Sequence, residues 1–172
     1  MRKLTGVVSL CITATLAGCA VHPTVREHLT AGSEVAVVMF RDCTIPGQED
    51  CVDSGLSAGS VFARVLSEGP DIKASPLSRP VSAATPLDDS AAVTYAKQKG
   101  FRYVLNGDVE GYYRVAPFTF RPERAGVSVR LLDTSDGQVI AFFSDRGTAN
   151  NLSSPDAILA RFAKRFRTAI TQ

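Results

Sequence analysis

The stretch FRYVLNGDVEGYYRV, residues 101–115, alternates over an unusual distance. Phe101, Tyr103, Leu105, Val109, Tyr113 and Val115 share one side of an extended chain, with Gly107 and Gly111 in phase, while Arg102, Asn106, Asp108, Glu110 and Arg114 share the other. A period of two belongs to a strand with one face on a core and one in water. The two glycines predict a bend or bulge partway along it. Downstream, Val127, Val129 and Leu131 alternate again, followed by DTSDG (133–137) and VIAFFS (139–144). That pattern is a hairpin, with Asp136-Gly137 supplying the turn.

Working outward, residues 35–40 (VAVVMF) form a continuous apolar run of strand length, the pattern of a central strand covered on both faces. Ser54 is placed to cap a helix running to about residue 68, with Leu56, Phe62, Val65 and Leu66 near one stripe and Gly69-Pro70 as its stop. Pro76, Pro80 and Pro86 leave room for at most a short strand over 71–75. A second helix follows, capped by Asp88 or Asp89, favoured by Lys97 and Lys99 near its C-terminus and ended by Gly100. In the last helix Ser154 caps and Pro155 takes the first position. Ile158, Leu159, Phe162, Phe166, Ala169 and Ile170 then recur at helical spacing. The order β-α-(β)-α-β-β-β-α implies an α/β (α+β) domain over residues 34–172, a single mixed sheet with helices packed on it.

The N-terminus reads as an address. Arg2 and Lys3 precede an apolar run that is shorter than the ~20 residues needed to cross a bilayer as a helix. Residues 1–18 are therefore expected to be an export signal. Leu16-Ala17-Gly18-Cys19 resembles the bacterial lipobox, in which the Cys thiol receives diacylglycerol and becomes the new N-terminus. On that resemblance Cys19 carries diacylglycerol and an acyl chain, no other cofactor is expected, and Ala20 in place of Asp directs the protein to the periplasmic face of the outer membrane. Residues 19–33, polar and without sustained periodicity, are expected to be a lipidated tether that includes His22 and His28. Loss of Arg2 and Lys3 with the signal removes the formal excess of two basic side chains. A neutral domain gives no reason to expect nucleic acid.

Cys11 leaves with the signal and Cys19 takes lipid, so Cys43 and Cys51 remain as an even pair in an oxidising compartment and are expected to form a disulfide. Two Cys without CxxC spacing or nearby His do not make a zinc site, and no metal is expected. Gly55-Leu56-Ser57-Ala58-Gly59 matches GxSxG, but no His follows residue 28, so the serine lacks its base. Asp108 and Glu110 point to one face and could serve as paired carboxylates. Arg102 and Arg114 are expected on that face too, which favours an ion-pair ladder over a general acid. No catalytic residue is assigned, and there is no phosphate-binding glycine motif. Two surfaces remain as contact candidates: Phe118, Phe120 and Arg121 in RVAPFTFRPER (114–124), and the C-terminal basic face of Arg161, Lys164, Arg165 and Arg167.

The helix ending at Gly100, the Y-V-L-x-G-x-V strand and the V-x-L-x-D-x-x-x-G-x-V hairpin together resemble the small α/β domain of bacterial envelope lipoproteins, a group that includes the TolB N-terminal domain, CsgG, LpoB and PelC. The matching pieces cover roughly a third of the chain. The resemblance implies a binding or ring-forming module without catalytic residues. The expectation is thus a non-enzymatic outer-membrane lipoprotein, a periplasmic scaffold of the cell envelope whose partners are the membrane, through its anchor, and an envelope protein or further copies of itself. A PelC-like component of exopolysaccharide export is one alternative. A small-ligand binder or enzyme using the Asp108/Glu110 face is the other.

Overall fold

The computed structural model describes residues 22–46, 48–114, 122–149 and 153–172. Strand β2 (Ser33–Val38) is covered on both faces: Val35, Ala36, Val37 and Val38 are fully buried, the odd positions in one core cluster and the even ones in another. It lies between β3 (Ile72–Leu77) and β4 (Tyr103–Tyr113), parallel to both. Strands β4, β5 (Glu123–Asp133) and β6 (Val139–Ala149) continue as an antiparallel meander. A two-residue strand β1 (Thr24–Val25) pairs with β6, so the sheet runs β1-β6-β5-β4-β2-β3.

Connectivity places the helices. From β2 the chain crosses to β3 through α1 (Ser54–Leu66), then reverses direction across the sheet to reach β4 through α2 (Asp89–Gln98). Parallel crossovers are right-handed, so reversing the direction of travel puts α2 on the opposite face from α1. The C-terminal helix α3 (Pro155–Thr171) joins α1, and Phe40, Phe62, Phe166, Phe143 and Phe162 stack between them in edge and tilted contacts with centroids 5.2–6.5 Å apart. Such pairs add about 0.5–1.5 kcal/mol each beyond the area they bury. On the other face, Ala92 and Ala96 of α2 pack with Leu87, Ala36, Val38, Val104 and Leu132. This second layer covers β2 and the start of β4, and leaves the far half of the meander open on that side.

Several details differ from the sequence expectation. Part of the supposed tether belongs to the domain: Thr24 and Val25 pair with β6, Leu29 is buried, and its N–H donates to the Ile170 carbonyl. Strand β3 reaches Leu77 despite Pro76, because its outer edge is unpaired and a missing N–H costs nothing there. Ser54 is not the cap of α1. Asp53 holds that place at φ 60°, while the Ser54 hydroxyl donates to the Cys51 carbonyl and accepts from the Cys43 N–H. The glycines of β4 do mark a bulge, between Val109 and Gly111, and it reverses the alternation beyond it. Tyr112 therefore enters the core at 3% exposure and Tyr113 faces out at 43%.

Two local features give direct tests. A Cβ on Gly55 would lie 2.0 Å from the Phe40 carbonyl oxygen, so α1 can approach the end of β2 only through glycine. Gly55→Ala should cost about 3 kcal/mol in a urea unfolding experiment, the upper end for overpacking a rigid contact. At the β5–β6 turn, burial acts to raise the Asp133 pKa. Hydrogen bonds from Ser135 and the Arg102 cation outweigh it and hold the carboxyl below its ordinary range. The stability this contributes is present above about pH 4, where an unfolded Asp is ionised, and is lost as pH falls through the lower folded value. Asp133→Asn should flatten the acid limb of the stability profile below about pH 4; an unchanged slope would assign that limb to other groups.

Candidate functional site

Across the open half of the sheet, side chains stand in rows set by strand register. Asn106 and Arg130 are paired, then Asp108 and Ser128 with Ser144, then Gly111 and Gly126 with Arg146, then Tyr113 and Arg124 with Thr148. The first two rows form a charge ladder. Asp108 forms an ion pair with Arg41 at 2.9 Å and accepts from Arg130 at 3.3 Å, and Arg130 Nε also donates to Asp89 at 2.8 Å. Asn106 donates to Asp89 and to the Leu87 carbonyl, which fixes the start of α2 against the sheet. Burial works against the Arg130 cation, but its bonds to Asp89 and Asp108 prevail and raise its pKa. Glu110 is held by Arg146 at 2.9 Å and faces Ser144.

The cations that pair with Asp108 and Glu110 are thus Arg41, Arg130 and Arg146, rather than the Arg102 and Arg114 expected from alternation. Arg102 lies against Asp133. Arg114 sits beyond the bulge, where its guanidinium donates to the Tyr112 hydroxyl and its N–H to Asp50. Arg41 and Asp89 come from distant segments, and nothing in the local pattern signals them. Both carboxylates end as partners in ion pairs, an arrangement for holding elements together and not for donating a proton.

Ser57 of the GxSxG match lies on α1, where its hydroxyl donates to Asp156 Oδ1 at 2.7 Å. The same oxygen accepts from the Tyr112 hydroxyl at 2.8 Å. That knot joins α1, β4 and α3, and no imidazole takes part in it. His28 Nδ1 instead meets the Ala169 carbonyl. Cys43 and Cys51 form a disulfide with Cα atoms 5.0 Å apart, and the loop they close is docked on the end of β4, where Gln48 donates to the Tyr112 carbonyl. Of the six large apolar side chains exposed among the described residues, Ile45 and Tyr113 line one hollow beside this loop, and Val52 and Leu56 line another. Exposed apolar groups at one end of a domain make that end a candidate contact surface.

The basic face of α3 is largely engaged. Arg165 pairs with Asp145 and lies over the Phe143 and Phe162 rings, Arg167 pairs with Asp71, and Arg161 donates to the Thr148 carbonyl. Lys164 extends into solvent. Cys19, Phe118, Phe120 and Arg121 lie outside the described residues. Among those described, no group of three or more His, Cys, Asp and Glu is placed to hold a metal ion, and no helix is long and apolar enough to cross a membrane.

No protein-family model matches the chain, and no curated protein does. Solved structures do match. The PelC dodecamer of Paraburkholderia phytofirmans, in a single-substitution form, superposes with TM-score 0.67 at 24% identity over 89% of this chain and 99% of that one. A second PelC dodecamer structure gives 0.66 at 24% identity over 88% and 96%. Lipoprotein GNA1162 of Neisseria meningitidis is similar more loosely, with TM-score 0.49 and 12% identity over 80% and 97%. At these identities the likeness establishes the fold, one mixed six-stranded sheet with three helices packed on it in the PelC-like arrangement.

The disulfide supports the exposed end mechanically. Closing so short a loop contributes roughly 2.5 kcal/mol in the chain-entropy treatment. The Cys43→Ser/Cys51→Ser variant should lose about that much in denaturant titration, and limited proteolysis should then cut within residues 43–51 first. An intact loop under protease would show that its docking on β4 suffices.

Proposed function

We propose that this chain is a lipid-anchored, non-catalytic module of the cell envelope that assembles with copies of itself into a ring, as a PelC-like component of polysaccharide export. The observation that carries this reading is coverage in both directions: 89% of this chain superposes on 99% of a chain that forms a dodecamer. The chemistry of the described residues agrees with a binding role, since the Ser57 hydroxyl is committed to Asp156 and the Asp108 and Glu110 carboxylates to arginines.

Anchoring through Cys19 gives the domain an orientation. Strand β1 is antiparallel to β6, with Thr24 opposite Phe142 and Val25 opposite Ala141, so the chain before Thr24 runs toward the Ala149 end of β6. That is the end bearing Tyr113 and the disulfide loop. Cys19 lies five residues upstream of Thr24, a reach of at most about 17 Å for an extended chain. The lipid thus holds this end toward the bilayer.

Mass measurement on the lipidated protein extracted from membranes tests the reading. A discrete species near twelve monomer masses is expected, and the Cys19→Ser variant should leave the membrane fraction for the soluble periplasm. A monomer at every concentration would overturn the ring, and a Cys19→Ser protein still bound to membranes would overturn the anchor.

A further inference from the structure

The hollow that holds Val52 and Leu56 has a volume of about 750 Å³ and opens between α1, the disulfide loop and the start of α3. Val52 is 71% exposed and Leu56 54%, the two most exposed large apolar side chains among the described residues. The charge around them is acidic. Glu49 and Asp53 are exposed, their carboxylates have no partner among the described residues, and Asp50 accepts only the Arg114 backbone N–H. The two arginines of the lining are occupied, Arg64 with Glu68 and Arg114 with the Tyr112 hydroxyl.

A second hollow, of about 490 Å³, lies on the other flank of α3, between that helix and β6. Its charge is opposite. Arg146, Arg161, Lys164 and Arg165 line it against one carboxylate, Asp145, together with the largely buried Phe162 ring. Asp145 holds Arg165 and Glu110 holds Arg146, whereas Arg161 reaches only the Thr148 carbonyl and Lys164 has no partner among the described residues. Strand register sets the two hollows at one level of the sheet: Tyr112, in the first, is paired with Ala125, and Ala125 with Gly147, in the second.

Both edges of the sheet are blocked by side chains. On β3 the Ser67 hydroxyl accepts from the Ala74 N–H and donates to the Ala74 carbonyl, and Pro76 has no N–H to offer. On β6 the Asp145 carboxylate accepts from the Arg146 N–H, and Arg161 donates to the Thr148 carbonyl. Neither edge presents an unbroken ladder, so side-chain faces are what the domain leaves for contact between copies.

A closed ring of identical chains needs a heterologous contact, two different patches that fit each other. We infer that the acidic hollow of one copy receives the basic α3–β6 flank of the next, covering Val52 and Leu56 and setting Glu49 and Asp53 against Arg161 and Lys164. Opposite charge on the two flanks steers copies head to tail and opposes contact between like flanks. The anchor points the strands toward the bilayer, so hollows at one level of the sheet stand at one height above it, as a flat ring requires. The inference rests on the ring reading of the chain and names the surfaces that build it.

Native mass spectrometry of the full lipidated protein in detergent tests it with two charge-reversed chains, Glu49→Lys/Asp53→Lys and Arg161→Glu/Lys164→Glu. Each alone sets like charges across the contact and should need at least about tenfold more protein to assemble than the native chain. Mixed in equal amounts, the two should recover assembly to within about threefold, because altered flanks then meet altered ones and native flanks meet native ones in an alternating ring. Leu56→Ser should weaken assembly about fivefold or more, while Lys97→Glu/Lys99→Glu, at the end of α2 on the opposite face, should leave it unchanged. If the native chain forms a ring and either reversed chain assembles as readily, these faces are not the contact and only this inference falls. A mixture that stays monomeric overturns it equally. A native chain that is monomeric at every concentration removes the ring itself.

Discussion

Burying both faces of β2 is the requirement around which the rest of the molecule is arranged. Four consecutive fully buried residues, Val35 to Val38, need cover above and below, and one helix cannot supply it. The reversal of chain direction between β3 and β4 solves this by sending α1 and α2 to opposite faces. On one side α3 completes the layer with α1, and the phenylalanines between them fill it. On the other side α2 is short and stops over β2 and the first part of β4. What α2 leaves bare is the candidate site.

The bare half is divided by the bulge in β4. Before it, the charge ladder of Asp89, Arg130, Asp108 and Arg41 locks α2 and the end of β2 to the sheet, so these ionic groups serve the fold. Beyond it, inversion of the alternation turns Tyr112 into the core, where its hydroxyl joins the Ser57–Asp156 knot, and turns Tyr113 outward. The disulfide loop is pinned to the same stretch of β4. A single irregularity in one strand therefore separates a structural surface from one with exposed aromatic, apolar and cationic groups.

Much of the fold was legible in the sequence. The apolar run at 35–40 predicts a central strand, Ser154-Pro155 predicts the start of α3, where Ser154 accepts from the Ala157 N–H, and the Cys43/Cys51 pairing follows from cysteine arithmetic. The site was less legible. Alternation through 101–115 identifies Asp108 and Glu110 as facing out together, yet it assigns them the wrong cations, since the bulge displaces Arg114 and the true partners come from β5, β6 and the segment after β2. Gly126 gave no signal of its own. Its meaning depends on Arg146 crossing above it, a contact between strands.

By itself the sequence determined where the three helices and the main strands lie, most of their apolar faces, and the chemistry of an N-terminus that resembles a lipid attachment signal. Those properties are local, fixed by periodicity, caps and turn residues within a few positions of one another. Only the tertiary structure decided which arginine meets which carboxylate, that Gly55 must be bare where α1 meets the Phe40 carbonyl, and that Tyr113, Gly111 and Arg124 share a trough. The physical reason is that strand register and helix placement bring together residues far apart in the chain, and a one-residue bulge changes which of them share a face.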